Sequence, residues 1–239
     1  MPNAIILGAS SGIGRELARI MSSDGWTLGL ASRNVEAMEE LKDELGPQTH
    51  IQRLDITVPG QVVDRLNALH HALGDVDCVV VSSGIGRYNP RLEWPPEEQT
   101  IATTVAGFAA AATWAGRFFQ ERKRGQLVGI SSVAGLRGSP FSPSYCASKA
   151  FMSNYLEGLR LNLGRFRVSV CDIRPGYVDT PMTKDQKGMF WVVDAVTAAK
   201  GIYRAMKKRK AVAYVPSRWK AVALPMKLAP GFLYKKLMP

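Results

Sequence analysis

Gly8-Ala9-Ser10-Ser11-Gly12-Ile13-Gly14 is entered from an apolar, strand-like run at residues 4–7 and leaves into a helix-like run at residues 14–23. Glycines in such a connection let the backbone turn sharply and come close to a pyrophosphate, whose charge rests on the helix N-terminus. Ser10 and Ser11 add hydroxyl donors. Glycine-rich turns also serve ordinary strand-to-helix connections, so the placement between a buried strand and a helix at the very start of the domain carries the weight.

Outward from this turn, strand-like and helix-like stretches alternate. Strands are expected at residues 27–31, 50–54, 78–81, 126–130, 168–173 and 211–215, and helices at 35–45, 62–73, 99–122, 145–163 and 194–207. Apolar residues at 35, 38, 41 and 45 share one helical face, and 78–81 is continuously apolar, as a strand covered on both sides must be. The fold class is therefore α/β: a doubly wound parallel sheet, in a single Rossmann-type domain with helices on both faces. With 239 residues, 46% of them hydrophobic, the chain can bury such a core. No internal repeat or linker appears, so residues 1–215 are assigned to this domain and 216–239 to a basic amphipathic extension of it.

The second strand ends Leu30-Ala31-Ser32-Arg33-Asn34. An acidic residue here would accept from the adenosine ribose 2′-hydroxyl and select NAD, but none is present. Arg33 is suited to pair with the 2′-phosphate of NADP, so NADP(H) is expected in preference to NAD(H); the plainer alternative is a solvated arginine after a strand. Asp55, followed by Ile56, either accepts from the adenine amino group or caps the next turn.

Three further motifs follow in order: Ser131-Ser132, then Tyr145-Cys146-Ala147-Ser148-Lys149, then Arg174-Pro175-Gly176-Tyr177-Val178-Asp179-Thr180. Together with Gly8–Gly14 they resemble the short-chain dehydrogenase/reductase family over roughly residues 3–215, in a combination far more specific than any one piece. Tyr145 and Lys149, four apart, share a helix face, and a nearby cation is expected to lower the phenol's pKa. Tyr145 is then a proton donor in reduction and a base in oxidation. The resemblance implies that Lys149 also holds the nicotinamide ribose and that Ser132 hydrogen-bonds the substrate oxygen, with Ser131 ending the strand structurally. It further implies nicotinamide contacts at Pro175, Gly176 and Val178, and a Thr180 hydroxyl near the phosphates.

Two positions depart from the family pattern. Where Asn-Asn-Ala-Gly is common, this chain has Val81-Ser82-Ser83-Gly84, which leaves Ser83 and Gly84 for backbone contact with the dinucleotide. No Asn lies between Asn89 and Asn154, and Thr104 is the best counterpart of the family's catalytic Asn. An enzyme moving a hydride between NADP(H) and a hydrophobic carbonyl or secondary alcohol is the first reading. The alternative is an NADP(H)-binding regulatory or sensor protein with weak or no turnover.

Residues 181–193 are expected to cover the substrate, with Met189, Phe190 and Trp191 as an apolar wall. By resemblance, helices 99–122 and 145–163 form the contacts of a homodimer or homotetramer. Cys78, Cys146 and Cys171 are widely spaced and set in apolar surroundings, and His50, His70 and His71 have no metal-ligand spacing, so neither disulfide nor metal is expected. The N-terminus carries no signal-peptide pattern, and the longest apolar uncharged run, 101–116, is too short to span a bilayer, so a cytoplasmic location is expected.

The formal charge of +11 resides in one segment: from Lys200 onward there are eleven Lys and Arg and no acid. Nucleic-acid binding is not expected, because no stacking platform or recognised module accompanies the charge. Trp219, Val222, Ala223 and Met226 follow helical spacing, while Pro225 and Pro230 are expected to break any long helix. Two readings of this end stand: an interfacial segment on anionic membrane, or a tail packed on its own domain or a partner subunit.

Overall fold

The computed structural model describes residues 1–184 and 188–237. Seven parallel strands form one sheet, in the order β3-β2-β1-β4-β5-β6-β9. They are β1 (Asn3–Leu7), β2 (Thr27–Ser32), β3 (Thr49–Arg53), β4 (Cys78–Val81), β5 (Gly125–Ile130), β6 (Val168–Pro175) and β9 (Val212–Val215). The short strands β7 (Val178–Asp179) and β8 (Val193–Asp194), which the sequence pattern does not announce, pair separately and bracket the covering loop. Nine α-helices are found among the described residues: α1 (Gly12–Ser23), α2 (Val35–Leu45), α3 (Pro59–Leu73), α4 (Trp94–Ile101), α5 (Phe108–Arg122), α6 (Pro143–Leu163), α7 (Ala195–Lys207), α8 (Trp219–Leu228) and α9 (Gly231–Leu237).

Strand periodicity explains the two layers. Ala4 and Ile6 of β1 face one core with residues of α1, α2 and α7, whereas Ile5 and Leu7 face the other with residues of α3, α5 and α6. All four are fully buried, as the central strand of a doubly covered sheet requires. The chain reverses its winding between β1 and β4, and the crevice at that switch point is where such sheets bind ligands.

Two helix expectations need correction. The helix expected at 99–122 starts earlier, at Trp94, and is interrupted by a π-helical turn, Ala102–Gly107. Pro225 does not break α8 but sits inside it, while Trp219 and Ala223 of that helix are buried. Tertiary packing there outweighs the hydrogen bond that proline cannot make. No helix among the described residues is long and apolar enough to cross a membrane, and the three cysteines are buried and unpaired.

Candidate active site

The loops at the carboxyl edge of the sheet converge on one cleft holding about 1270 Å³ of empty space and open to solvent. Gly8, Ser10, Ser11, Gly12 and Ile13 form one wall. Gly8 (φ +83°) and Gly12 (φ +53°) occupy the left-handed region that glycine enters at no steric cost. A Cβ on Gly8 would stand 2.7 Å from the Ser83 amide nitrogen. Gly14 lies off the wall: its Cβ would fall 2.1 Å from the Gly8 carbonyl oxygen, so this glycine lets α1 press against β1. The first turn of α1 has no side-chain capping bond and no acidic residue. Its amide donors and its positive end therefore face the cleft without a competing carboxylate, a cradle that fits a diphosphate.

Ser32 donates to Ser10 Oγ at 2.8 Å, and Arg33 stands exposed beside them on the wall. Asp55 is not on the wall. Its Oδ1 accepts from the Thr57 amide (3.0 Å) and the Thr57 hydroxyl (2.7 Å), the turn-capping geometry, while Leu54, Ile56 and Thr57 line the cleft around it. Ser83, Gly84, Pro175, Gly176, Val178 and Thr180 all reach the same space.

The opposite wall carries the reactive groups. Beyond β5, Ser131 and Ser132 both border the cleft, but the Ser131 hydroxyl is engaged by the buried Asp172 carboxylate. Ser132 Oγ donates to Pro175 O at 3.3 Å and accepts from the Ala134 amide at 3.1 Å. Tyr145 and Lys149 project from the first turns of α6 into that corner. Lys149 is only 5% exposed, and its Nζ donates to Ile130 O at 2.9 Å and lies 5.7 Å from the centre of the Tyr145 ring. Gly86, which sequence reasoning passed over, packs against that ring: a Cβ there would be 3.0 Å from it.

Burial pushes Tyr145 up to about 12, with the neighbouring Ser132 hydroxyl acting in the opposite direction. Burial also draws Lys149 down to about 8, opposed by the charge of Asp172. For Tyr145 the direction is opposite to the one expected from a neighbouring cation, and its leading cause is desolvation. Tyr145 keeps its proton at neutral pH.

Thr104 lies in the π-helical turn, completely buried, and its Oγ1 accepts from the Ile85 amide at 3.4 Å. A Cβ on Gly84 would stand 3.3 Å from Lys149 Nζ and 3.8 Å from Thr104 Oγ1, so both groups border the space beside this glycine. Gly107 closes the widened turn where a Cβ would strike Ile56 O at 2.3 Å. Such turns gather at functional sites. The preceding Thr103, another residue the sequence reading missed, lines the cleft, and its buried hydroxyl has no partner among the described residues.

The family model for short chain dehydrogenase matches residues 2–189. The chain belongs to the short-chain dehydrogenase family. An uncharacterized oxidoreductase of Myxococcus xanthus is 38% identical over 185 residues, covering 75% of this chain and 73% of the relative. An uncharacterized oxidoreductase of Mycobacterium tuberculosis is 31% identical over 221 residues, covering 89% and 87%. The structure of a short-chain dehydrogenase from Sphingobium yanoikuyae in complex with NADPH superimposes with a TM-score of 0.84 at 22% identity, over 93% of this chain and 92% of that one. That likeness establishes the shared fold.

In this short-chain dehydrogenase an aromatic cluster packs behind the Gly176 turn of the cleft wall, off the lining itself. Tyr177, Phe190, Trp191 and Trp219 form one cluster, with ring centres 5.1–5.9 Å apart in the contacting pairs. Phe190 and Trp191 of the expected wall are half exposed, and Asp185, Gln186 and Lys187 of that loop lie outside the described residues. Trp219 reaches the back of the Gly176 turn from the C-terminal segment. A Cβ on Gly176 would stand 1.9 Å from Trp219 Nε1, so that glycine makes room for the indole. Arg218 ties the cover down, donating to Trp191 O at 2.9 Å with its guanidinium 5.3 Å over the Trp191 ring.

Proposed function

We propose that this chain is an NADP(H)-dependent oxidoreductase acting on a hydrophobic carbonyl or secondary alcohol, with Ser132, Tyr145 and Lys149 as its catalytic group. The observation that carries this reading is that the glycine turn and these three side chains line one continuous cleft. The bound dinucleotide supplies or accepts the hydride. Gly8, Ser10, Ser11, Gly12 and Ile13 hold its diphosphate, with Ser32 and Arg33 at the adenosine phosphate and Ile56 at the adenine. Pro175, Gly176, Val178 and Thr180 orient the nicotinamide end, with Ser83 and Gly84 at the sheet edge. Ser132 orients the substrate oxygen by hydrogen bonding, Tyr145 delivers the proton to that oxygen, and Lys149 holds the ribose and replenishes the proton. Ile85, Pro181 and Met182 give the cleft apolar lining, which favours an apolar substrate.

Fluorescence titration with NADPH and NADH, followed by absorbance decay with a panel of apolar ketones, tests this reading. Arg33→Asp is expected to weaken NADPH binding by about 10–100-fold, the value of a charge-assisted pair with phosphate, and to leave NADH binding nearly unchanged. Equal loss for both dinucleotides would remove Arg33 from the 2′-phosphate. Tight NADPH binding with no turnover of any ketone would instead support the sensor reading, for which the replacement of the family's Asn by Thr104 is the supporting observation.

Lys149 gives a pH signature. Its pKa is depressed to about 8, so it is a cation below that pH and neutral above it. NADPH affinity is expected to fall as pH rises through about 8, and the step is expected to be absent in Lys149→Met. The same step in that variant would assign it to another group.

Within this reading, residues 216–239 complete the domain of residues 1–215 rather than forming a second one, since Trp219 packs against the Gly176 turn. Helices α5 and α6, the latter with Leu161 80% exposed, are the proposed contacts of a homodimer or homotetramer. Three buried free thiols accord with a reducing, cytoplasmic location.

A further inference from the structure

The proposed reduction uses little of the charge that lies beyond residue 199. Part of it is gathered in a second cleft, with about 940 Å³ of empty space between α7 and β9, walled by Arg204, Lys208 and Lys210 and by no carboxylate. None of these three cations forms an ion pair among the described residues, whereas their neighbour Lys207 is held by Asp24 at 3.2 Å. Pro216 and Ser217 line this cleft and lead directly into α8.

Helices α8 and α9 have two unlike sides. On the inner side Trp219 and Ala223 are buried, and Arg137 donates to Ala229 O at 2.6 Å. Tyr234 donates to Gly138 O at 2.8 Å, with the Arg137 guanidinium 4.4 Å over its ring. The segment is thus anchored on its own domain, one of the two arrangements the sequence allowed. Its other side is bare: Leu224 and Leu228, one helical turn apart, are 63% and 70% exposed, and Phe232 is 73% exposed. Lys220 and Lys227 stand exposed in the same segment.

We infer that this face docks on an anionic lipid surface, with Leu224, Leu228 and Phe232 entering the acyl boundary while Arg204, Lys208, Lys210, Lys220 and Lys227 meet the head groups. Charge selects this occupant. A second copy of the same face would press uncompensated cations together, and a nucleic acid would leave the leucines in water. Because Trp219 of α8 packs on the Gly176 turn that lines the cleft, docking brings the cleft near the boundary where an apolar carbonyl dissolves. That last link rests on the proposed reduction, but the docking itself does not.

Co-sedimentation of the full chain with phosphatidylcholine vesicles, with and without phosphatidylserine, tests the inference without reading turnover. Binding is expected on the serine-containing vesicles at low salt, falling as salt rises. The double change Lys208→Glu, Lys210→Glu is expected to weaken it at least about tenfold, since each cation near such a surface contributes roughly fivefold. The triple change Leu224→Ser, Leu228→Ser, Phe232→Ser is expected to abolish stable binding while NADPH titration shows the fold intact. Four results would overturn docking: no sedimentation of the wild type at low salt, equal binding to both vesicle types, undiminished binding of the triple variant, or tighter binding to a DNA duplex than to the serine vesicles. A lower oligomeric state of the triple variant in sedimentation velocity would make the face a subunit contact and likewise end the inference.

Discussion

Tyr145→Phe is expected to lower kcat for NADPH-dependent ketone reduction by about 10³-fold, within the range that a positioned general acid supplies, and to leave NADPH affinity unchanged. The change deletes one oxygen from a ring that still packs on Gly86, and it leaves in place the bonds from Ser132 to Pro175 O and from Lys149 to Ile130 O. The phenol it removes is a group whose burial keeps it protonated at neutral pH, and it shares the cleft with Ser132 and Lys149. Thr104→Ala is expected to cost less, because that hydroxyl bonds the Ile85 amide while Lys149 Nζ bonds Ile130 O and Met152 Sδ. Parallel steady-state assays and NADPH titrations of the two variants decide the point. Undiminished turnover by Tyr145→Phe would refute the assigned mechanism.

Gly14→Val is expected to destabilise the chain by about 3 kcal/mol or more and to abolish dinucleotide binding, since overpacking against backbone cannot be relieved by a rotamer change. The first added carbon meets a carbonyl oxygen, that of Gly8, at 2.1 Å. Relief requires α1 to move off β1, and the amide donors of its first turn move with it. Gly60→Ala, where nothing lies within 4 Å of the added carbon, is the control and is expected to stay within about 1 kcal/mol of the wild type. Urea unfolding and fluorescence titration of both variants check this. NADPH binding by Gly14→Val at wild-type strength would show that the close approach of helix and strand does not shape the diphosphate cradle.

The sheet and the reactive corner are legible in the sequence because their signals are local. An apolar run of four residues, a glycine turn or a Tyr–Lys pair one helical turn apart specifies its own geometry. The features that escape depend on partners far along the chain. Residues 99–122 keep helical periodicity throughout, and nothing local announces a widened turn at Ala102–Gly107, where Gly107 meets Ile56. Trp219 has the spacing of a tail residue, yet it fills the space left by Gly176, forty-three positions earlier. The acidity of Tyr145 depends on burial, which a motif does not encode. One miss had a readable signal: Pro95 and Pro96, in the first turn of α4, mark the helix start at Trp94 ahead of the periodic apolar residues.

The strand order also governs how the molecule is made. Of the seven strands β1 is made first but lies between β2 and β4, so residues 3–53 form at most a three-stranded sheet with one side of β1 unpaired until Cys78–Val81 has been synthesised. The partner of β6 arrives later still, at Val212–Val215. No hairpin nucleates any part of this sheet, and for most of translation the nascent chain displays an apolar strand edge, the state that holdase chaperones protect.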